Sequence, residues 1–226
     1  MSFRGRRRLM GMIRYGASIS LDGFAAGPDQ GPENPLGVGG MQLHGWMREL
    51  AVWRKRAGIG EGGAENASAE VLKAAGANLR AYVMGRNMFG GGPGRWGDDP
   101  WNGWWGENPP FHLPVFVVTH HPRPPLECDG GTTFTFVTEG PEAAVARARE
   151  AAGDGDVLIA GGATVARQCL EAGLVDELTL DLVPVLLGAG VRLFDGTSLP
   201  IELEQTSVVE APGVVHLTYR VTRHGR

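Results

Sequence analysis

An α/β fold with a central mixed, mostly parallel sheet, flanked by helices and ended by a C-terminal antiparallel hairpin, is the class this 226-residue chain predicts. Three observations carry that expectation. Short apolar runs alternate with alanine-rich helical patterns, which is how parallel strands joined by helical crossovers read. The segment "DVLIAGGATVARQCLEAGLVDEL", Asp156 to Leu178, is a buried strand, a glycine pair and a helix in immediate succession. The last two apolar runs have no helical pattern between them, so they read as a hairpin.

Taken in order, the first strand is expected at Ile13–Ser18 and a helix at Met41–Arg56, followed by a second helix at Ala67–Ala75. Strands follow at Ala81–Met84, Val115–Thr119 and Thr133–Val137. The next helix, Pro141–Ala152, opens on a proline, which the first helical turn tolerates because its N–H groups have no intrahelical acceptor. Val157–Ala160 is an apolar strand and Thr164–Ala172 the helix after it. Leu178–Val185 is the last internal strand, and the hairpin comprises Thr206–Glu210 and Val214–Thr222. Two glycine- and proline-rich stretches, Gly23–Gly40 and Gly90–Pro114, are long enough to read as lids or binding loops.

A hydrophobic content of 42% supports one substantial core, and no composition break divides the chain. The expectation is a basic N-terminal tail, 1–10, and a single domain, 11–226. A net charge of -4 argues against a nucleic-acid surface. The apolar stretch Leu9–Ile13 is too short for a secretory segment, and nothing approaches the roughly 20 apolar residues of a membrane span. Cys128 and Cys169 give no CxxC pair, which fits a cytoplasmic protein and leaves no metal site in view.

The Gly161-Gly162 turn is the strongest chemical signal. Without Cβ atoms a ligand can approach the backbone, and the N–H groups of Ala163, Thr164 and Val165 open a helix whose positive dipole end attracts an anion. The other reading is a tight turn with no ligand. Gly58, Gly60 and Gly63 also satisfy G-x-G-x-x-G, but they follow a helical pattern instead of a strand. Two further strands end on polar residues: "AYVMGRNMF" gives Gly85, Arg86 and Asn87, and "PVFVVTHHPR" gives Thr119, His120, His121 and Arg123. Ligands in open α/β sheets bind beyond the carboxyl ends of strands, so three such exits point to one crevice. Arg86 and Arg123 read either as phosphate ligands or as solvated surface arginines.

The order of "SISLDGFAAGP", "VMGRNMF", "VFVVTHHPR", "LIAGGATVARQCLEAGLVDEL" and "LDLVPVLLGAGVRLF" resembles the dihydrofolate reductase-like superfamily. The chain is most similar there to the reductase domain of the bifunctional riboflavin-biosynthesis deaminase-reductase, from about Ile13 to Thr222. The resemblance implies a three-layer fold, a NADPH-dependent reductase, and often a homodimer. It implies that Arg86 and Asn87 meet the adenosine phosphates, that Thr119 with His120 lies beside the ribose 2′-phosphate, and that Gly161 to Val165 wrap the pyrophosphate. Arg123 offers a second positive charge at the same exit, and His120 or His121 adds charge when protonated.

The resemblance also places Asp22 in the loop flanking the nicotinamide, with the small Ala17 and Ala25 leaving room for the ring. Asp22 is the candidate catalytic residue, although an Asp-Gly pair also serves simply as a turn. Ser20 and Phe24, beside it, are candidate substrate contacts. Folate reductases carry a carboxylate at the start of the helix after this loop. Here that region, "GGMQLHGWM", has Leu43 and His44 and no Asp or Glu, so dihydrofolate is not the expected substrate and His44 is a candidate donor in its place. The deaminase signature H-x-E with P-C-x-x-C is missing. Of the tryptophans in the second loop, Trp96 and Trp105 are favoured as a lid over a planar substrate, the alternatives being a self-packed loop or a dimer contact. The leading expectation is a reductase of a small pyrimidine- or pterin-like heterocycle or similar unsaturated compound. The alternative is a nucleotide- or flavin-binding protein, a sensor or carrier, without turnover.

Overall fold

The computed structural model describes residues 11–31, 33–92, 94–196 and 200–222, so the basic tail expected at 1–10 lies outside the described residues. The chain begins with β1 (Ile13–Ser20) and β2 (Phe24–Ala26), then a 3-10 turn, Gly40–His44, and the helices α1 (Gly45–Arg48), α2 (Ala51–Arg56) and α3 (Ala67–Ala77). Next come β3 (Leu79–Gly85), α4 (Arg86–Phe89), β4 (Pro114–Val118), β5 (Leu126–Glu127), β6 (Thr133–Val137) and α5 (Pro141–Ala152). The last third holds β7 (Asp156–Gly161), α6 (Ala163–Glu171), β8 (Glu177–Val183), β9 (Val191–Arg192), β10 (Glu202–Ala211) and β11 (Val214–Thr222).

Among the described residues one nine-stranded sheet forms in the order β10-β11-β8-β1-β7-β3-β4-β6-β5. Strands β8, β1, β7, β3, β4 and β6 run parallel, while β11, β10 and β5 are antiparallel to their neighbours. This is the mixed, mostly parallel sheet that the sequence predicts. Alternation of side chains divides the core by face. Val83, Val157 and Ile159 meet Ala144 and Ala148 of α5 and Val165 of α6. Tyr82, Met84, Val115 and Phe134 gather on the opposite face with Phe89 and the tryptophan loop. Burial of each large apolar side chain contributes about 1.5–3 kcal/mol.

The starting end of the parallel strands is clamped by a buried carboxylate. Asp156 pairs with Arg14 at 2.7 Å and accepts hydrogen bonds from Met12 N at 2.9 Å and Asn78 Nδ2 at 3.1 Å. These contacts fix β1 against β7 at the end opposite the glycine turn.

Three elements depart from expectation. The helix predicted over Met41–Arg56 is broken into the 3-10 turn, α1 and α2. The break is at Leu50, which is fully buried, takes extended backbone angles (φ -74°, ψ 137°) and bridges to Ala64. Sinking that side chain into the core overrides the helical pattern. The strand predicted through Val185 stops at Val183, because Pro184 has no N–H for the ladder. Val185 and Leu187, each partly buried, then pack onto Leu43 and Val214, while Leu186 between them is exposed. The hairpin's first strand starts at Glu202 rather than Thr206 and carries an irregularity between Gln205 and Ser207.

Candidate functional site

A cavity of about 990 Å³ crosses the sheet face from β1 to β3 and continues around the ends of β3, β4 and β7. Gly16, Ser18, Tyr82 and Ala160 contribute to its floor, where the small residues leave space above the sheet. The volume is at the upper end for small-molecule sites.

At one end two strand exits meet backbone to backbone. Gly161 and Gly162 have φ of 154° and 80°, which a side chain would strain. A Cβ on Gly162 would lie 3.4 Å from Gly85 Cα, and one on Gly85 would lie 3.1 Å from Val165 Cγ2. Positive φ favours glycine at 161 and 162, and a Cβ on Gly85 would press on Val165. Helix α6 starts directly after Gly162 with no side chain capping its first N–H groups. Unpaired N–H groups at a helix start, in a cradle that Cβ atoms would fill, fit the pyrophosphate of a dinucleotide.

The predicted residues Gly85, Arg86 and Asn87 line this cavity, as do Thr119, His120 and His121 from the β4 exit. Gly161, Gly162, Ala163, Thr164 and Val165 line it from the β7 exit, and Ala17 and Ala25 from β1 and β2. His44 and Trp105 join the wall as well. The three exits predicted to share one crevice thus do so.

Arg86 is already engaged. Its Nε donates to Gly90 O at 3.0 Å, Nη2 to Gly91 O at 3.1 Å and Nη1 to Thr119 Oγ1 at 3.4 Å. Its guanidinium carbon lies 3.2 Å from the Trp96 ring centroid. Arg123 is not on the cavity wall, which corrects its expected place. It covers the same Trp96 ring at 4.7 Å and donates to Trp101 O at 2.7 Å and Asn102 Oδ1 at 3.0 Å. Burial lowers the basicity of both arginines, and for Arg86 the Arg123 charge acts in the same direction.

Trp96 also departs from its predicted role as a lid. Both guanidinium groups lie against its ring, which is edge-on to Phe89 and Phe136, and its indole N–H donates to His121 O at 2.9 Å. Trp104, with Trp105, faces the cavity instead. Trp104 Nε1 donates to Met88 O and Trp101 Nε1 to Phe89 O, each at 2.9 Å. The indoles thereby tie the loop to α4.

Asp22, Ser20 and Phe24 do not line the cavity either. Ser20 is fully buried, donates from Oγ to Asp22 Oδ1 at 2.5 Å and accepts from Phe24 N at 2.9 Å. Asp22 also accepts from Leu187 N at 3.2 Å and Gly188 N at 2.7 Å. The Ser20 hydroxyl and these backbone donors hold its carboxyl down to about 2, so it is an ionised anchor without a proton to give. Phe24 is buried beneath Arg192, whose guanidinium lies 4.4 Å from the ring centroid. All three residues build the turn that carries β2 under the 187–188 segment.

Several wall residues have no signal in the sequence. Arg56 donates to Pro110 O at 2.8 Å and to the Tyr82 hydroxyl, whose ionisation burial makes harder. Asp181 enters from β8, and His216 of β11 stands opposite it in the ladder. Trp46 meets the His216 ring edge-on at 4.9 Å and donates to Ser18 Oγ at 3.3 Å. Knowledge of the β8/β11 register would have brought Asp181 and His216 together. His44 is shifted toward its neutral form, mainly by burial and also by Arg48, against the opposing charge of Asp181.

A model of the family described as the RibD C-terminal domain matches residues 12–217. The uncharacterized protein YwjB of Bacillus subtilis strain 168 is 31% identical over 85 residues, or 38% of this chain and 48% of that protein. The match thus spans about half the length of this curated relative. Among solved structures, RibD of Acinetobacter baumannii (form 1) aligns with a TM-score of 0.57 at 17% identity, covering 95% of this chain and 59% of that one. A diaminohydroxyphosphoribosylaminopyrimidine deaminase/5-amino-6-(5-phosphoribosylamino)uracil reductase of Thermotoga maritima gives 0.56 at 14%, covering 94% and 57%. Both likenesses are of fold, and in each the chain spans less than two thirds of the other protein.

Proposed function

The chain belongs to the RibD C-terminal domain family, and from that premise we propose that it is a NADPH-dependent reductase of a small planar heterocycle, pyrimidine- or pterin-like, or of a similar unsaturated compound. The observation that carries this reading is the side-chain-free contact of Gly85 with Gly162 at the uncapped start of α6. Gly161 to Val165 hold the pyrophosphate through backbone N–H groups. Arg86, Asn87, Thr119, His120 and His121 take the adenosine phosphates, Arg86 exchanging its two loop carbonyls for phosphate oxygens. Ala17 and Ala25 leave room for the nicotinamide ring. When bound, the reduced dinucleotide supplies a hydride.

Asp22 serves this site by fixing the loop beside β1, and His44, kept toward its neutral form by burial, is the wall residue suited to donate a hydrogen bond to the ligand. Trp104 and Trp105 shield the bound ring from water. Residues 11–226 act as one domain, a reading supported by the nine-stranded sheet that joins β1 to β11. The protein works in the cytoplasm as a homodimer. The long outer strand β10, exposed along most of its length and bearing Leu203 and Val208, supports pairing with a second copy.

Titration with NADPH, NADH and flavin, followed by intrinsic tryptophan fluorescence, tests this reading. Saturable quenching that favours NADPH over NADH is the expected result. Equal response to both nicotinamides, or to neither, overturns the cofactor assignment. A second reading, a nucleotide- or flavin-binding protein without turnover, draws support from the engaged state of Asp22. Flavin binding without oxidation of NADPH across a panel of acceptors would favour it.

A further inference from the structure

Asp181 and His216 lie opposite each other in the β8/β11 ladder, and His216 Nδ1 is 2.7 Å from Asp181 Oδ1. The other ring nitrogen, Nε2, is 2.8 Å from Ser68 Oγ. Ser68 sits in the first turn of α3, where the Asn66 side chain accepts from its backbone N–H at 2.9 Å. The order Ser, His, Asp is that of a hydrolase triad, but the hydroxyl end is closed. Ser68 and His216 are each 1% exposed, and neither reaches the cavity. The accessible end is the carboxylate.

A buried imidazole with both nitrogens hydrogen-bonded is held in one orientation, and it holds its carboxylate partner in turn. One Asp181 oxygen is thereby committed to His216. The other accepts no hydrogen bond among the described residues, and the residue is on the cavity wall with His44, Trp46 and Ser18. His44 Nδ1 is sealed from solvent without a hydrogen-bond partner. A sealed nitrogen is better left as a bare lone pair than as an unpaired N–H, so the ring proton belongs on Nε2. The wall thus presents a fixed acceptor beside a donor, with the Trp46 indole next to them.

We propose that Asp181 is a recognition residue for a planar ligand carrying an amino, amidine or ring N–H group, with His44 as the adjoining polar contact. Ser68 and His216 are positioning residues that aim the free oxygen. This rests on the cavity being the ligand site proposed above, but not on the identity of the nicotinamide cofactor. The arrangement selects by charge and by donor direction, since an anionic ligand of the same shape would set its oxygens against Asp181.

Benzamidine and benzoate are matched probes, alike in shape and opposite in charge and hydrogen-bonding sense. Binding of each to the full chain is followed by NMR of ¹⁵N-labelled histidine side chains, with NADPH titrated separately into the same samples. Benzamidine should bind saturably and shift the His44 and His216 nitrogen signals, with benzoate at least about tenfold weaker. Asp181→Asn should abolish that preference. Ser68→Ala removes only the far end of the chain, and should weaken benzamidine several-fold while leaving circular dichroism and NADPH affinity unchanged. Equal binding of the two probes by the unmodified protein overturns the assignment without any variant having to fold. Unaltered benzamidine affinity in folded Asp181→Asn overturns it as well. Benzamidine binding without NADPH binding would remove the nicotinamide reading and leave this one standing, and the converse result would do the opposite.

Discussion

The guanidinium of Arg86 rests 3.2 Å from the centroid of the Trp96 ring, and Arg123 covers the same ring at 4.7 Å. Two like charges share one aromatic plane, and each is held there by carbonyl oxygens of the tryptophan loop. The phosphate binding proposed for Arg86 has to compete with this arrangement. A cation–π contact contributes about 0.5–2 kcal/mol, so removal of the ring should make the arginine more available. Trp96→Leu is expected to raise NADPH affinity by up to about tenfold and to leave NADH affinity unaltered. Arg86→Ala should reduce the NADPH preference. If both variants keep the wild-type NADPH to NADH ratio of dissociation constants, Arg86 is not a 2′-phosphate ligand.

Gly162→Ala tests the cradle. The residue has φ of 80°, and its new Cβ would stand 3.4 Å from Gly85 Cα, in the space between the two turns. The strained backbone should cost about 1–2 kcal/mol of stability. With the pyrophosphate held as proposed, dinucleotide binding should fall well beyond what that loss explains, because the added methyl group would take up space in the cradle. Calorimetric titration beside thermal unfolding separates the two effects, and a stable variant with full affinity would place the dinucleotide elsewhere.

Asp22 should anchor its loop down to strongly acid pH. Its folded value, about 2, lies below the ordinary 3.8, so its contribution is complete above 3.8 and disappears as pH falls toward 2. The difference in Tm between wild type and Asp22→Asn is therefore expected to be constant from pH 7 to about pH 5 and to shrink below about pH 4. A difference that instead closes near pH 6 would assign the effect to another group.

Asp156→Ala should be among the most damaging single changes. It leaves Arg14 without its carboxylate in a setting where the two side chains are 14% and 8% exposed. Breaking such a pair typically costs about 3–5 kcal/mol. Urea unfolding would show a lower midpoint with an unchanged slope. Replacing both Arg14 and Asp156 by apolar residues should recover much of the loss.

Local order was readable where a few consecutive residues decide it. The β7 strand, the glycine pair and α6 announce themselves within sixteen residues of each other, because apolar run, turn and helix are all set by neighbours. The break at Leu50 could not be read that way, since it depends on a bridge to Ala64 and on burial against distant elements. The same holds for the site. Gly85, Thr119 and Gly161 follow from strand ends, whereas the pairing of Asp181 with His216 requires the register of two strands 35 residues apart. Arg123 was misplaced for a related reason: its sequence position at a strand exit is correct, but Trp96 and Asn102 draw its side chain away from the cavity.

The position of β1 in the sheet has a consequence for how the chain is made. Its two partners are β7 and β8, with Ile13 opposite Val157 and Arg14 opposite Glu177. During synthesis the first strand must therefore wait, unpaired, until most of the polypeptide has emerged from the ribosome. Contacts so far apart in sequence slow folding and leave apolar strand edges open to other chains in the meantime.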